Sequence, residues 1–94
     1  MRYFKARWMH DLPDEAVLWY HEVDEGLCEA RKVVMFRDGR MERADTTEHT
    51  DYTDLSTEPL PSLEEINAQD EFEAAEIDEL EFEQVWTAAA PPPP

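Results

Sequence analysis

The sequence is poor in the residues that most catalytic and nucleotide-binding motifs require. It has one cysteine, Cys28, so an internal disulfide bond is excluded. It has two glycines, Gly26 and Gly39, and turns explain both, so a glycine-rich phosphate-binding loop is excluded. The N-terminus has no apolar signal core, and the longest uncharged apolar run, Ala16 to Tyr20, is too short to span a bilayer. We therefore expect a cytoplasmic protein in a reducing compartment, with Cys28 as a small buried apolar side chain.

Positive charge is missing from the second half of the chain. The net charge is −16, and all eight Lys and Arg residues lie between Arg2 and Arg43. Nine Asp and Glu residues precede Ala44, which nearly cancels those positive charges, whereas fifteen follow it. A concentrated negative field attracts basic surfaces and rejects nucleic acid and anionic lipid. The alternative is that the acidic surface only keeps a small protein in solution.

Alternation of apolar and polar residues predicts strands in the first half. In the opening run, Phe4, Ala6 and Trp8 fall on one side, which is the period of a half-buried strand. The pair Asp38-Gly39 favours a hairpin turn into a short last strand. The predicted strands span Arg2 to Met9, Ala16 to Val23, Leu27 to Phe36 and Arg40 to Ala44. Together they predict a four-stranded antiparallel meander.

Two helix starts follow a polar loop over residues 45–61. Ser62 to Glu65 fits a capping box, and Asp78 to Glu81 repeats it, so we expect helices to about Ala68 and from about Glu79 to Trp86. These helices should cover one face of the sheet, which makes a single two-layer α+β domain over residues 1–87. Residues 70–77 fit neither helix nor strand clearly. The Ala and Pro residues 88–94 are predicted to form a disordered tail.

The sequence offers no convincing catalytic or metal-binding motif. His10, His21 and His49 lie in different predicted elements, with no zinc-ligand spacing around them. The stretch Asp51 to Asp54 lacks the glycine and the terminal glutamate of a calcium-binding loop. We therefore predict no cofactor, no metal and no enzymatic activity. An enzyme would be indicated if His10 or His21 lay beside a carboxylate in a cleft.

Four segments together resemble a known family over nearly the whole chain. They are Met1 to Glu15, Arg31 to Arg40, Pro61 to Asn67 and Phe82 to Trp86. The family they resemble consists of small uncharacterised bacterial proteins that share a domain of unknown function. Its members are similar to the small acidic immunity proteins encoded beside secreted bacterial toxins. The resemblance supplies no catalytic residues.

The charge pattern and this resemblance predict a protein-binding protein. We expect an immunity or inhibitor protein that neutralises a basic toxin domain, with the polar loop as the contact surface. The predicted partner-binding residues are Asp45, Glu48, Asp51, Tyr52, Asp54 and Glu58. The alternative is a nucleic-acid mimic or a regulatory subunit that binds a DNA- or RNA-handling protein. The basic residues should pair with Glu22, Glu29 or the acidic half, so no direct contact with nucleic acid or membrane is expected; the oligomeric state stays open.

Overall fold

The computed structural model describes residues 1–49 and 53–89, which form one five-stranded sheet and two helices. The elements in chain order are β1 (Arg2–Trp8), β2 (Ala16–Val23), β3 (Glu29–Phe36), β4 (Met41–Ala44), α1 (Leu63–Asn67), β5 (Phe72–Ile77) and α2 (Glu79–Ala88). The strand order across the sheet is β4-β3-β2-β1-β5, and every neighbouring pair is antiparallel. The predicted α+β class and the predicted meander from β1 to β4 are confirmed.

The turns that join the meander follow from local chemistry. Gly39 adopts a positive φ of 91°, and its N–H donates to the Phe36 carbonyl at 2.9 Å. Between β2 and β3, Leu27 adopts a positive φ of 66°, and the Asp24 carboxylate accepts the N–H groups of Gly26 and Cys28. Cys28 lies in this turn and is exposed. The prediction of a buried thiol was therefore wrong, because β3 begins one residue later.

A fifth strand occupies the segment that the sequence left open. β5 pairs with β1 from Tyr3 opposite Ile77 to Trp8 opposite Phe72, so the sheet has five strands rather than four. The chain leaves β4 at one edge of the sheet and reaches β5 at the other edge. The connection between these two strands includes α1. The Glu and Ala residues of β5 do not alternate between apolar and polar as a strand usually does. The segment is extended because it pairs with β1.

The two helices lie on opposite faces of the sheet, not on one face as expected. Successive residues of a strand point to opposite faces, so Tyr3 and Phe4 mark the two sides. Phe82 of α2 is fully buried with its ring centroid 5.3 Å from that of Tyr3. Leu63 and Ile66 of α1 instead share a cavity with Phe4 on the other face. The chain reverses through β5 between the helices, and this carries α2 to the opposite side.

A charged cluster on the α2 face helps to fix that helix on the sheet. Arg31 donates to both carboxylate oxygens of Glu22, at 2.8 and 2.7 Å, and also pairs with Glu83 of α2. Its guanidinium lies 4.9 Å from the ring centroids of both Phe82 and Trp86. These hydrogen bonds from Arg31 hold the pKa of the buried Glu22 carboxyl below its usual range and raise the pKa of Arg31 itself.

Both predicted helix starts are confirmed, and α2 runs two residues further than expected. The Ser62 hydroxyl accepts the Glu65 N–H at 3.2 Å, and the Asp78 carboxylate accepts the Glu81 N–H at 2.8 Å. α2 ends at Ala88, and Ala89 is its buried C-cap. The remainder of the predicted tail, residues 90–94, lies outside the described residues. No helix in the described part of the chain is long and apolar enough to cross a membrane.

Candidate functional site

The C-terminal part of the predicted contact loop, residues 53–60, is hydrogen-bonded to the sheet and to the β2–β3 turn. The Leu60 N–H donates to the Leu27 carbonyl at 2.8 Å, and the Ser56 N–H donates to the Glu29 carboxylate at 2.9 Å. Thr53 is 1% exposed, and its hydroxyl donates to Glu42 at 3.3 Å. The loop therefore packs over the α1 face near β3 and β4.

The predicted partner-binding residues differ in what their side chains do. Asp45 uses its carboxylate within the loop, where it accepts the N–H groups of Thr47 and Glu48 at 2.8 Å each. These bonds hold its pKa below the usual range. The other described members, Glu48, Asp54 and Glu58, are exposed. Asp51 and Tyr52 lie outside the described residues.

A larger group of acidic residues lies along the edge strand β5 and the ends of the elements that flank it. We call this group the acidic edge. It consists of the exposed residues Glu64, Glu65, Asp70, Glu71, Glu73, Glu76, Asp78 and Glu79. Within the described residues 1–49 and 53–89, this group forms one ion pair, between Glu76 and Arg2 at 3.2 Å. In the described structure, the acidic edge therefore carries more negative charge than its ion pair neutralises.

Four of the eight basic residues form ion pairs with acidic partners in the described part of the chain. Arg31 pairs with Glu22 and Glu83, and Lys32 pairs with Glu29 at 3.5 Å. Arg2 lies 3.2 Å from Glu76, and Lys5 lies 3.7 Å from Glu81 of α2. The pairs with Glu76, Glu81 and Glu83 join the nearly neutral first half of the chain to its acidic second half.

His21 and Glu29 form a buried pair on the α1 face. The His21 Nδ1 lies 3.0 Å from Glu29 Oε2, and the two side chains are 10% and 1% exposed. Burial opposes ionisation of Glu29, but the hydrogen bond from His21 and the nearby Lys32 outweigh it, so the pKa of Glu29 lies below its usual range. In the β2–β3 ladder His21 lies opposite Lys32 and Glu29 lies opposite Val23, with a register shift between Glu22 and Val23.

A cavity of about 270 Å³ lies between α1 and the sheet, with His21 in its wall. Apolar side chains from the sheet, the loop and α1 form most of the remaining lining, and they are Phe4, Ala6, Leu27, Leu60, Pro61, Leu63, Ile66 and Ala74. A second cavity of about 350 Å³ adjoins it and adds the aromatic rings of Trp8, Trp19 and Phe72. The two cavities share four residues, Ala6, His21, Pro61 and Ile66. Both therefore belong to one apolar recess on the α1 face.

The condition that would indicate an enzyme is met at His21. His21 lies beside the Glu29 carboxylate at a cavity, as a general base with an orienting acid would. The hydroxyl in that wall, that of Ser62, is occupied as the helix cap of α1, where it also donates to Glu65. His10 is used structurally, since its ring nitrogens bond the Ala16 carbonyl and the Leu12 N–H. In the described recess, His21 is therefore paired with Glu29, while the Ser62 hydroxyl is engaged at the start of α1.

Metal-binding geometry is absent from residues 1–49 and 53–89, where no group of three or more His, Cys, Asp or Glu side chains is placed to hold an ion.

The recess was not foreseen because it depends on where α1 and the loop cross the sheet. The histidine was visible in the sequence, and the carboxylate next to it along the chain is that of Glu22. Alternation along β2 puts Glu22 on the opposite face, and the β2–β3 turn brings Glu29 to the imidazole instead.

The fold and these features define a small α+β domain with an acidic sheet edge and an apolar recess under a short helix. The chain belongs to a family described as a domain of unknown function (DUF6881), whose sequence profile matches residues 2–91. No curated protein and no solved structure shows significant similarity to the chain.

Proposed function

We propose that this protein binds a basic protein partner through its acidic second half. The acidic edge supports this proposal, because eight exposed carboxylates lie within residues 64–79 with a single ion pair among the described residues. Basic side chains are absent from this stretch of sequence, which therefore offers a surface of one sign. A surface of one sign that the protein does not neutralise internally is suited to a partner of the opposite sign.

Electrostatic steering is the expected mechanism of capture. Neighbouring carboxylates on the acidic edge lie within a Debye length of one another, which is about 10 Å at 0.1 M salt, so their fields add. Summed fields of this kind raise association rates more than they raise the final affinity. The described loop residues Glu48, Asp54 and Glu58 would extend the surface towards β4.

The finer proposal is an immunity or inhibitor role against a basic toxin domain. An inhibitor must capture its target before the target acts, so a high association rate has a direct use. If the toxin were a nuclease, the carboxylates would occupy the surface that otherwise binds phosphates.

Capture from an extract of the native organism, followed by mass spectrometry, identifies the partner. Binding kinetics are then compared for the wild type and two variants that each remove three charges. One is Asp70→Asn/Glu71→Gln/Glu73→Gln on the acidic edge, and the other is Glu48→Gln/Asp54→Asn/Glu58→Gln in the loop. We expect a basic partner whose association rate falls roughly tenfold in the edge variant and less in the loop variant. A non-basic partner, or equal rates for all three proteins, would contradict the proposal.

Two further measurements separate the roles that such binding could serve. Co-expression with a toxic partner should restore growth if the protein is an inhibitor, and no rescue with no complex would end that role. Competition with DNA for the partner would instead indicate the nucleic-acid mimic. In either case binding should weaken as salt rises from about 50 to 300 mM, because exposed charge pairs are screened.

A further inference from the structure

The recess on the α1 face has the dimensions and lining of a small-molecule site. A cavity of roughly 150 Å³ is enough to hold benzene, so the cavity of about 270 Å³ beside His21 has room for one ring with a short substituent. Its charged lining residues are Arg2 and Glu64, which have opposite signs. Apolar walls without a net charge favour a neutral ligand.

His21 supplies the polar recognition group of this site. The Glu29 carboxylate can only accept hydrogen bonds when ionised, so the His21 Nδ1 must carry the proton that joins them. In the neutral imidazole the other ring nitrogen, Nε2, is then an acceptor. Within residues 1–49 and 53–89, the side-chain hydrogen bond described for His21 uses Nδ1, which leaves Nε2 as the acceptor for a ligand. Glu29 is itself held by Lys32 and the Ser56 N–H, so the orientation of the imidazole is fixed by three elements.

We propose that the recess binds a small neutral molecule with an apolar body of one ring and one hydroxyl group that donates to His21 Nε2. Phenols and ring alcohols are the chemical class that fits. The recess lies under α1 and shares only Glu64 with the acidic edge, whose other members lie outside the lining of both cavities. It does not rest on the proposed partner.

A matched pair of probes tests the role of the hydroxyl. p-Cresol and toluene differ only by that group, and binding is followed by titration of the wild-type protein with NMR detection of the indole N–H signals. We expect p-cresol to bind roughly three- to tenfold more tightly than toluene, as one neutral hydrogen bond would give. The signals of Trp8 and Trp19 should move because both rings line the adjoining cavity, whereas Trp86 lies on the α2 face and should not.

Two variants separate the hydrogen bond from the cavity. In His21→Asn, the shorter amide can still donate to Glu29, but no acceptor remains at the Nε2 position, so the preference for p-cresol should disappear while weak binding of both probes persists. In Ala6→Leu, the added side chain fills space that both cavities share, so both probes should be excluded. Equal affinities in the wild type, an unchanged preference in His21→Asn, or no binding of either probe would overturn the proposal.

Discussion

Tyr3 illustrates how a single side chain joins the core to the charged cluster on the α2 face. Its ring packs on Phe82, and it neighbours the Glu22 carboxylate that Arg31 also holds. Burial, together with the interaction with Glu22, raises the pKa of Tyr3 to about 12. The phenol therefore stays neutral in the folded protein at pH values where an exposed tyrosine ionises.

The raised pKa predicts a loss of stability at alkaline pH. The unfolded phenol has a pKa of about 10, so the contribution of Tyr3 is fully present below about pH 10 and is lost as pH rises through about 12. In urea unfolding at about pH 8, Tyr3→Phe should be less stable than the wild type by on the order of 2 kcal/mol. This difference should shrink steadily as the pH is raised above about 10.

The control for this experiment is Tyr20→Phe, which removes a hydroxyl from the same core cluster and leaves the Tyr3–Glu22 contact in place. Its stability difference from the wild type should not follow the same pH curve. Identical curves for both variants would show that the Tyr3–Glu22 contact does not cause the effect.

At the scale of elements, the outer side of the edge strand β5 is hydrogen-bonded at Ala74 by a side chain rather than by another strand. The Asn67 carboxamide donates to the Ala74 carbonyl at 2.9 Å and accepts the Ala74 N–H at 2.7 Å. Both outward backbone groups of Ala74 are therefore satisfied, as they would be in a ladder. Asn67 is the last residue of α1, so the same contact ties α1 to the sheet and holds one side of the recess.

Removal of this carboxamide should loosen β5 locally. Asn67→Ala is expected to lower the free energy of unfolding by about 1 kcal/mol, because the backbone groups of Ala74 return to water. Hydrogen exchange at the Ala74 amide should accelerate far more than exchange at the Ala75 amide, because Ala75 stays paired with Lys5 of β1. The matched control is Gln84→Ala, which removes an exposed amide from α2. Equal acceleration at both amides would argue against the clamp.

The elements that sequence reasoning could locate are those specified by nearby residues. The bounds of β2 were predicted at Ala16 and Val23, and both helix caps were found, because alternation and capping are local signals. β5 was not predictable in the same way, since its run from Phe72 to Ile77 becomes a strand only beside β1. The recess was missed for the same reason, because α1, the loop and His21 meet only in three dimensions.

At the scale of the whole molecule, the segregation of charge has an energetic cost as well as a proposed use. The net charge is −16, and the acidic edge places eight exposed carboxylates together. The exposed ion pairs that bridge the two halves, such as Arg2 with Glu76, each stabilise by no more than about 1 kcal/mol. Repulsion among the uncompensated carboxylates should therefore dominate the dependence of stability on salt.

This balance predicts that the free energy of unfolding rises with ionic strength. Urea unfolding in NaCl from about 20 to 500 mM should show increasing stability as the Debye length falls from roughly 20 to 4 Å. The edge variant Asp70→Asn/Glu71→Gln/Glu73→Gln should be more stable than the wild type at low salt, and the two should converge at high salt. A stability that falls as salt is added would mean that the ion pairs outweigh the repulsion, and that the acidic edge is not an electrostatically strained surface available to a basic partner.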